Sequence, residues 1–285
     1  VQPDLLLATD PDADRVGAAV KNNEGEWVLL NGNQTALMFV YYLITRWKEL
    51  GKINGKEYIV KTIVTTETIK TIAERNGVEM YDVYTGFKWI ANVMRENEGK
   101  KNYIGGGEES YGFLCEDFVR DKDAVSACVI LAEIAAWAKD QGLSLYQLLQ
   151  KIYVEYGFSK EKGISVVKKG KSGAEEIEAM MKKFRENPLT EIAGSKVTYF
   201  YDYSTLKGKD YAENETVTLD MPTTSNVLQY FTEDNTKVSI RPSGTEPKIK
   251  FYCEVHSKVK SIDELPEAEK AAEEKINQIK ASLGI

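Results

Sequence analysis

Histidine and cysteine are scarce in this sequence, and their scarcity argues against several kinds of site. The 285 residues include one histidine, His256, and three cysteines, Cys115, Cys128 and Cys253. The cysteines are widely spaced and odd in number, with no Cys-x-x-Cys pair, which argues against a disulfide framework or a zinc site. His256 lies in a predicted terminal strand, where we interpret it as a surface or packing residue.

The sequence also lacks a positive net charge and a long apolar run. A net charge of −7 argues against a general nucleic-acid or membrane-surface binder, although a local basic pocket can still bind a small anion. The most apolar stretch, residues 125–138, is too short to span a bilayer and contains Glu133. Unpaired cysteines favour a reducing compartment, so we predict a cytoplasmic protein without nucleic-acid or membrane partners.

No signal peptide opens the chain, whose first residue is Val1 rather than an initiator methionine. Residues 5–8 form a short apolar run that is typical of a buried strand inside a domain. A strand inside a domain normally pairs with neighbouring strands, and no earlier strand precedes this one in the sequence. We therefore predict that the chain begins in the middle of a larger protein.

Segments of strand-like and helix-like periodicity alternate over residues 32–157, with short connections. This alternation predicts an α/β three-layer domain with a mostly parallel sheet, whose binding residues lie in loops at the carboxyl ends of the strands. Residues 158–285 hold several strands between helical segments, which predicts an α+β domain with a mostly antiparallel sheet. Residues 1–31 are predicted to be the tail of a preceding α/β domain. A lysine-rich stretch, residues 168–173, is only loosely similar to a Walker A loop and is predicted to be a solvated turn.

Three aspartates at alternate positions follow the first apolar run: Asp10, Asp12 and Asp14. They either point to one side of an extended segment or curl around one point. Carboxylates held together repel one another unless a cation lies among them, and oxygen-only ligands suit Mg²⁺ or Ca²⁺. A solvated acidic turn is the alternative. An EF-hand fails because Arg15 stands where its loop needs glycine, and this arginine suits an anion brought to the metal instead.

A glycine-rich segment, residues 105–112, has the sequence Gly-Gly-Gly-Glu-Glu-Ser-Tyr-Gly and is predicted to be a loop after a strand over residues 102–104. Glycines allow a close approach of backbone to ligand, and Glu108 with the Ser110 hydroxyl suits the vicinal hydroxyls of a sugar. Two adjacent carboxylates argue against a glycosidase. A serine hydrolase is disfavoured because Glu108 occupies the first glycine position of Gly-x-Ser-x-Gly and His256 is the sole histidine.

Two further segments suggest anion binding. Residues 241–247, Arg-Pro-Ser-Gly-Thr-Glu-Pro, combine hydroxyl groups, N–H groups around Gly244 and the Arg241 guanidinium, which suits a phosphate, with a plain β-turn as the alternative. The window 241–260 carries five basic and two acidic residues. Lys88, in the Thr-Gly-Phe-Lys segment 85–88, lies in the first turn of a predicted helix, where a cation is electrostatically disfavoured and therefore hints at a ligand.

These four segments, in this order, resemble the motifs of the α-D-phosphohexomutases, which are the phosphoglucomutases and phosphomannomutases. The resemblance extends over essentially the whole chain. Pro11 stands where many members have glycine, and the sequence is similar to the branch of longer phosphoglucomutases that includes enzymes acting on pentose phosphates.

The resemblance implies four domains around one cleft, with a phosphoserine that exchanges phosphate with the sugar through a bisphosphorylated intermediate. The residues that it implicates are Asp10, Asp12 and Asp14 for Mg²⁺, Arg15, Gly86, Lys88, Glu108 and Ser110 for the substrate, and Arg241, Ser243, Gly244 and Thr245 for the non-reacting phosphate. The implied cofactors are Mg²⁺ and a glucose 1,6-bisphosphate-type intermediate or activator.

One feature of the family is absent, because the chain contains no Ser-His-Asn-Pro segment for the phosphoserine. We therefore predict the C-terminal portion of a phosphohexomutase acting on glucose or mannose phosphates. It would be inactive alone and would need the N-terminal domains as partner. The alternatives are a phosphopentomutase of the same family, a phosphosugar-binding module without catalysis, and a metal-dependent phosphatase or nucleotidyl enzyme built on the aspartates.

Overall fold

The computed structural model describes residues 2–168, 170–244 and 246–285, apart from the side chain of Lys171. The chain divides into two compact units. The first comprises the residues up to Gly157 together with Val259–Ile262, and the second comprises Phe158–Lys258 and Asp263–Ile285. The sequence-based division into three parts, with a separate tail over residues 1–31, stays a prediction.

The first unit begins with a three-stranded antiparallel sheet in the order β1-β2-β3. Its strands are β1 (Leu5–Thr9), β2 (Val16–Lys21) and β3 (Trp27–Leu30). Alternate residues of β2 are buried, as expected for a strand with one face on a core. The prediction of a buried first strand was wrong for the chain described here. In β1 the exposed and partly buried residues alternate, and Leu6 is exposed, because β2 is the one strand that pairs with it among the described residues.

A four-stranded sheet in the order β5-β4-β6-β7 forms the centre of the first unit. Strands β4, β5 and β6 are parallel and β7 is antiparallel to β6, which confirms the predicted α/β fold with a mostly parallel sheet. Tyr58, Val60, Ile90 and Leu114 belong to its buried core. In chain order the elements are α1 (Gly32–Glu49), β4 (Glu57–Thr62), α2 (Thr68–Arg75), β5 (Glu79–Val83), α3 (Phe87–Asn97), β6 (Asn102–Gly107), β7 (Phe113–Cys115), α4 (Ala124–Asp140) and α5 (Leu145–Tyr156).

Strand β6 extends through three glycines that the sequence assigned to a loop, so the predicted start of that loop was wrong. The strand continues because its neighbours leave no room for side chains. A Cβ atom on Gly106 would overlap the Val60 carbonyl oxygen and lie 2.8 Å from the Tyr103 hydroxyl oxygen. The glycines therefore serve close packing within the sheet, and the irregular segment begins at Glu108.

The second unit is built on one sheet in the order β12-β11-β10-β13-β14-β15-β8, with β9 paired to β10. All strand pairs described in it are antiparallel, which confirms the predicted α+β fold. Its elements are β8 (Phe158–Val167), α6 (Gly170–Glu186), β9 (Glu191–Ile192), β10 (Ser195–Asp202), β11 (Lys207–Asp210), β12 (Glu215–Thr218), β13 (Leu228–Thr232), β14 (Lys237–Pro242), β15 (Lys248–Ser257) and α7 (Leu265–Leu283). The predicted turn over residues 168–173 is instead helical from Gly170, while Lys169 lies outside the described residues.

A buried ion pair joins β14 to β15. Lys237 Nζ lies 2.9 Å from Glu254 Oε2, and the two side chains are only 2% and 3% exposed. His256, also largely buried, places Nε2 2.7 Å from Glu254 Oε1. Burial alone would lower the pKa of His256, but the Glu254 carboxylate outweighs it and raises the pKa above its ordinary value. The sole histidine is therefore a partly buried member of a charge network with Glu254 and Lys237.

Among the residues that the structure describes, no helix is both long enough and apolar enough to cross a membrane.

Candidate functional site

Three of the four segments singled out in the sequence lie in the first unit, and two of them follow the carboxyl ends of parallel strands. The Thr-Gly-Phe-Lys segment follows β5, and Glu108 directly follows β6. Because parallel strands end at the same edge of a sheet, these segments are neighbours. The Gly86 N–H donates a hydrogen bond of 2.7 Å to Glu108 Oε1, which joins the two segments directly.

Glu108 is held in a closed turn. Its side chain is buried, and its N–H donates to the Gly112 carbonyl oxygen at 2.9 Å. Gly86 has φ 112°, a conformation that favours glycine and that aims its N–H at the carboxylate. One oxygen of Glu108 is therefore used for positioning. Ser110, which is partly buried, lies at the tip of the same turn.

The aspartate segment, residues 10–15, lies against this turn. The Val16 N–H donates to the Tyr111 carbonyl oxygen at 3.2 Å, and Arg15 forms an isolated bridge with Gly112. The Ala124 N–H at the start of α4 donates to the Ala13 carbonyl oxygen at 3.1 Å. Backbone hydrogen bonds thus bring the aspartate segment, the glycine-rich segment and the start of α4 together.

The three aspartates themselves do not converge. Asp10 Oδ1 accepts the N–H groups of Asp14 and Arg15, both at 3.1 Å, and so closes the loop on itself. Asp12 is exposed, and Asp14 Oδ2 lies 2.8 Å from Lys122 Nζ. Within the described ranges, no three acidic, thiol or imidazole side chains are placed to hold a metal ion. The donors have the chemistry that Mg²⁺ prefers, but their present arrangement does not fit a metal site.

The hydrogen bonds to Asp10 have an electrostatic effect. Loss of hydration raises the pKa of the Asp10 carboxyl, but the N–H groups of Arg15 and Asp14 outweigh this and leave the pKa below its ordinary value. Asp10 therefore carries its charge while it closes the loop.

Lys122 is a site residue that the sequence analysis missed. Its side chain is 15% exposed, and its ammonium lies 2.8 Å from Asp14 Oδ2 and 3.2 Å from Asp121 Oδ1. The same nitrogen lies 5.9 Å from the centroid of the Phe87 ring, and a Cβ atom on Gly112 would lie 2.6 Å from Lys122 Cδ. A sequence signal existed, because Lys122 immediately precedes the N-terminus of an apolar helix, where a cation is disfavoured.

Arg15 and Lys88 are exposed, in contrast to the buried Glu108. The Arg15 side chain is 52% exposed, with Nε 3.8 Å from Asp14 Oδ1. Lys88 is exposed, and its ammonium lies 5.1 Å from the Trp89 ring centroid. Both cations are therefore accessible to an anionic ligand.

A buried lysine supports the same edge of the sheet from within, and the sequence analysis missed it as well. Lys61, near the carboxyl end of β4, places Nζ 2.7 Å from Asp82 Oδ1 on β5 and 2.9 Å from Glu67 Oε1 in the following loop. Its side chain is 1% exposed. These contacts fix β4, β5 and the loop before α2 relative to one another.

The fourth segment, residues 241–247, lies in the second unit and connects β14 to β15. The Ser243 N–H donates to the Lys248 carbonyl oxygen at 2.7 Å, and the Glu246 N–H donates to the Ser243 hydroxyl at 3.3 Å. Arg241 is partly buried and Gly244 is exposed, while Thr245 lies outside the described residues. A cavity of about 1020 Å³ is lined by residues of this segment and by Ile177, Met181 and Arg185 of α6.

Two family models match the chain. Residues 31–156 match the phosphoglucomutase/phosphomannomutase alpha/beta/alpha domain III, and residues 165–272 match the phosphoglucomutase/phosphomannomutase C-terminal domain. Together these matches cover most of the chain and include three of the four segments described above.

Curated relatives agree with these models. The chain is 39% identical over 249 residues to a phosphoglucomutase of Staphylococcus aureus (strain MRSA252). The aligned region covers 87% of this chain and 44% of the relative. The chain is 34% identical over 256 residues to a phosphoglucomutase of Staphylococcus haemolyticus, which covers 90% of the chain and 46% of the relative. The chain thus spans about half the length of the curated relatives it matches.

Solved structures share the fold. One is a phosphoglucomutase/phosphomannomutase family protein from Burkholderia thailandensis, with a TM-score of 0.60 and 16% identity over 100% of this chain and 48% of that one. Another is the phosphoglucomutase parafusin from Paramecium, with a TM-score of 0.59 and 17% identity over 97% of this chain and 45% of that one. The order of the motifs, the two family models and these relatives lead to one assignment: the chain belongs to the phosphoglucomutase/phosphomannomutase family of α-D-phosphohexomutases.

Proposed function

We propose that this chain supplies the sugar-recognition and phosphate-binding residues of a phosphohexomutase that interconverts the 1-phosphate and 6-phosphate of glucose or mannose. The observation that carries the proposal is the hydrogen-bonded contact of three motif segments in the first unit. The Gly86–Glu108 and Val16–Tyr111 hydrogen bonds and the Asp14–Lys122 ion pair hold residues of these segments and of the start of α4 together.

In this proposal the two units have different tasks. Glu108 and Ser110 accept and donate hydrogen bonds to sugar hydroxyls, with Gly86 fixing the Glu108 carboxylate. The exposed cations Arg15 and Lys88 attract the phosphorylated end of the substrate. The second unit holds the non-reacting phosphate through Arg241, Ser243, Gly244 and Thr245.

Phosphoryl transfer depends mainly on positioning and charge neutralisation, which is what these residues can provide. The sugar has to present either end to the same phosphoryl donor, so a clamp for the idle phosphate must accept both orientations. A serine nucleophile and the bisphosphorylated sugar intermediate complete the reaction in this proposal. The serine would come from the part of the longer protein that corresponds to the remaining half of the relatives, because no Ser-His-Asn-Pro occurs here.

Mg²⁺ is the cofactor that the aspartate segment favours by donor chemistry. Asp10, Asp12 and Asp14 would have to rearrange to bind it, since Asp10 closes its own loop and Asp14 is paired with Lys122. A glucose 1,6-bisphosphate-type activator and a cytoplasmic location, which free Cys115 and Cys253 favour, belong to the same proposal.

Calorimetric titration with glucose 1-phosphate tests the proposal. We expect weak binding by the intact chain, tighter than for glucose or inorganic phosphate alone. Arg241→Ala should weaken it by about 10- to 100-fold, because charge-assisted hydrogen bonds to the phosphate are lost. Glu108→Gln should weaken it by about tenfold while keeping an oxygen for the Gly86 N–H.

Lys183→Ala is the matched control for Arg241→Ala, because it removes one exposed positive charge from the second unit. Its affinity should equal that of the unchanged chain. Absence of binding at millimolar glucose 1-phosphate, or affinity that survives both Arg241→Ala and Glu108→Gln, would contradict the proposed function.

A further inference from the structure

The carboxyl ends of β4 and β6 border the place where the order of the parallel strands reverses. In the sheet order β5-β4-β6-β7, the connection after β4 leads to a strand on one side of it, and the next strand is added on the other side. Ligands of open α/β sheets bind outside the carboxyl ends of the strands at such a point. The segments that border this crevice are residues 63–67, which follow β4, and residues 108–112, which follow β6.

A side-chain hydrogen bond crosses this crevice. The Thr62 hydroxyl, at the end of β4, donates to Glu109 Oε2 at 3.2 Å. The main chain of Glu109 is confined as well, because its carbonyl oxygen lies where a Cβ atom on Gly32 would be. We infer that Glu109 is a positioning residue, whose hydrogen bond with Thr62 holds the turn of the glycine-rich segment in place for sugar binding. Glu109 lies between Glu108 and Ser110, so the inference rests on the proposed function, which makes those two residues the sugar ligands.

The hydrogen bond between Thr62 and Glu109 has a fixed direction. Thr62 and Thr65 are fully buried, and their hydroxyl oxygens lie 2.8 Å apart. A threonine hydroxyl has one hydrogen to donate and an ionised carboxylate only accepts, so Thr62 donates to Glu109 and accepts from Thr65. The Thr65 N–H also donates to the Thr62 carbonyl oxygen at 2.9 Å. Each hydrogen bond in this row polarises the next, so the loop after β4 strengthens the contact with Glu109.

The two adjacent glutamates are tied to different strands. Glu108 Oε1 accepts the N–H of Gly86, after β5, at 2.7 Å, whereas Glu109 is held by Thr62 at the end of β4. The turn itself is closed by the Glu108 N–H, which donates to the Gly112 carbonyl oxygen at 2.9 Å. Loss of the Glu109 contact would leave the ends of the turn closed and its centre free to move. The entropy lost in ordering that centre would then oppose sugar binding.

Calorimetric titration of the full 285-residue chain with glucose 1-phosphate, and separately with inorganic phosphate, tests the inference. Thr62→Val keeps the approximate shape of the side chain but removes the hydroxyl, and it should weaken glucose 1-phosphate binding by about tenfold. Glu109→Met, which removes the acceptor, should have the same effect. Binding of inorganic phosphate should be unchanged in both variants, because the segment proposed to hold the phosphate, residues 241–247, lies in the second unit. A purely structural role would not confine the loss to the sugar.

Two further variants separate the hydrogen bond from other effects of substitution. Glu109→Gln keeps an acceptor oxygen and should bind glucose 1-phosphate within about twofold of the unchanged chain. The double variant Thr62→Val with Glu109→Met should bind no more weakly than either single variant, because all three lack the same hydrogen bond.

Thr68→Val is the matched control. Thr68 is also buried and lies at the start of α2, at the same edge of the sheet. Its hydroxyl oxygen lies 3.5 Å from that of Thr66, so the substitution removes the same chemical group from a different contact. Its affinity for glucose 1-phosphate should stay within about twofold of the unchanged chain.

The outcomes separate this inference from the proposed function. If Arg241→Ala weakens glucose 1-phosphate binding but Thr62→Val and Glu109→Met do not, the proposed function stands and the inference is overturned. Equal weakening in Thr68→Val, an additive loss in the double variant, or an equal loss of inorganic phosphate binding would also overturn it. If the unchanged chain does not bind glucose 1-phosphate at millimolar concentration, both fall. Should Thr62→Val fail to fold, Glu109→Met gives the result, because Glu109 is only partly buried.

Discussion

Replacement of Lys237 by methionine is expected to lower the free energy of unfolding of the second unit by about 3–5 kcal/mol. The reason is the burial of its partner. Glu254 is 3% exposed, so its carboxylate cannot recover hydration when the ammonium 2.9 Å away is removed. His256 Nε2, which lies 2.7 Å from Glu254 Oε1, still contacts this carboxylate when the lysine is gone.

Spectroscopic probes can distinguish unfolding of the second unit from unfolding of the first. All four tryptophans, at positions 27, 47, 89 and 137, lie in the first unit. Tryptophan fluorescence during urea unfolding should therefore be unchanged, whereas circular dichroism and hydrogen exchange of β14 and β15 should report the loss.

Two further variants test whether the loss of stability comes from the buried, unneutralised charge of Glu254. Lys162→Met breaks a half-exposed pair with Glu273 and should cost less than about 1 kcal/mol. The double variant Lys237→Met with Glu254→Leu removes both charges and should recover most of the stability. A loss below about 1 kcal/mol in Lys237→Met would show that the Glu254 charge is compensated without the lysine.

Replacement of Gly32 by alanine should destabilise the first unit, although helix propensity alone predicts the opposite. Gly32 is the first residue of α1, where alanine is normally favoured by up to about 1 kcal/mol. A Cβ atom here, however, would overlap the Glu109 carbonyl oxygen and lie 2.8 Å from the Tyr111 nitrogen. Backbone atoms cannot turn aside as a side chain can, so we expect a loss of about 1–3 kcal/mol in tryptophan-monitored unfolding.

The same substitution should also weaken sugar-phosphate binding. Residues 109 and 111 flank Ser110 and lie in the turn that holds Glu108, so a shift of this backbone displaces both proposed sugar ligands. We expect glucose 1-phosphate affinity to fall by about tenfold or more. Gly163→Ala is the control, because a Cβ atom there has no atom within 4 Å. Equal stability of Gly32→Ala and the unchanged chain would disprove the close contact.

Much of the fold was predictable because local signals agreed with the final structure. Helix α2 (Thr68–Arg75), strand β5 (Glu79–Val83) and helix α5 (Leu145–Tyr156) lie in the region, residues 32–157, where the periodicity predicts alternating strands and helices. The start of α1 is also set locally, because the Asn31 side chain accepts the Gln34 N–H in a capping box. Periodicity and capping act within a few residues, which is why sequence alone reveals them.

The remaining features depend on contacts between distant segments. The glycines of β6 predicted a loop. They lie in a strand instead, where Val60 and Tyr103 leave no room for a Cβ atom on Gly106. The position of Lys122 depends on contacts with Gly112 and Phe87, which are distant from it in the sequence. The alternating aspartates predicted convergence on a cation, whereas the structure turns Asp10 toward its own backbone and Asp14 toward Lys122. A pattern within one segment cannot predict contacts with residues of a distant segment.

Mutase activity of a chimera would show whether this chain supplies the sugar-binding and phosphate-binding residues of a phosphohexomutase. In the chimera, this chain replaces the matching 249 residues of the Staphylococcus aureus phosphoglucomutase, which supplies the remainder of a full-length enzyme. We expect conversion of glucose 1-phosphate by the folded chimera and a decrease of about 100-fold in Arg241→Ala, because the proposed phosphate clamp is lost. We expect no steady turnover by this chain alone. Steady turnover by the isolated chain, or a folded chimera whose activity is unaffected by Arg241→Ala, would contradict the proposed function.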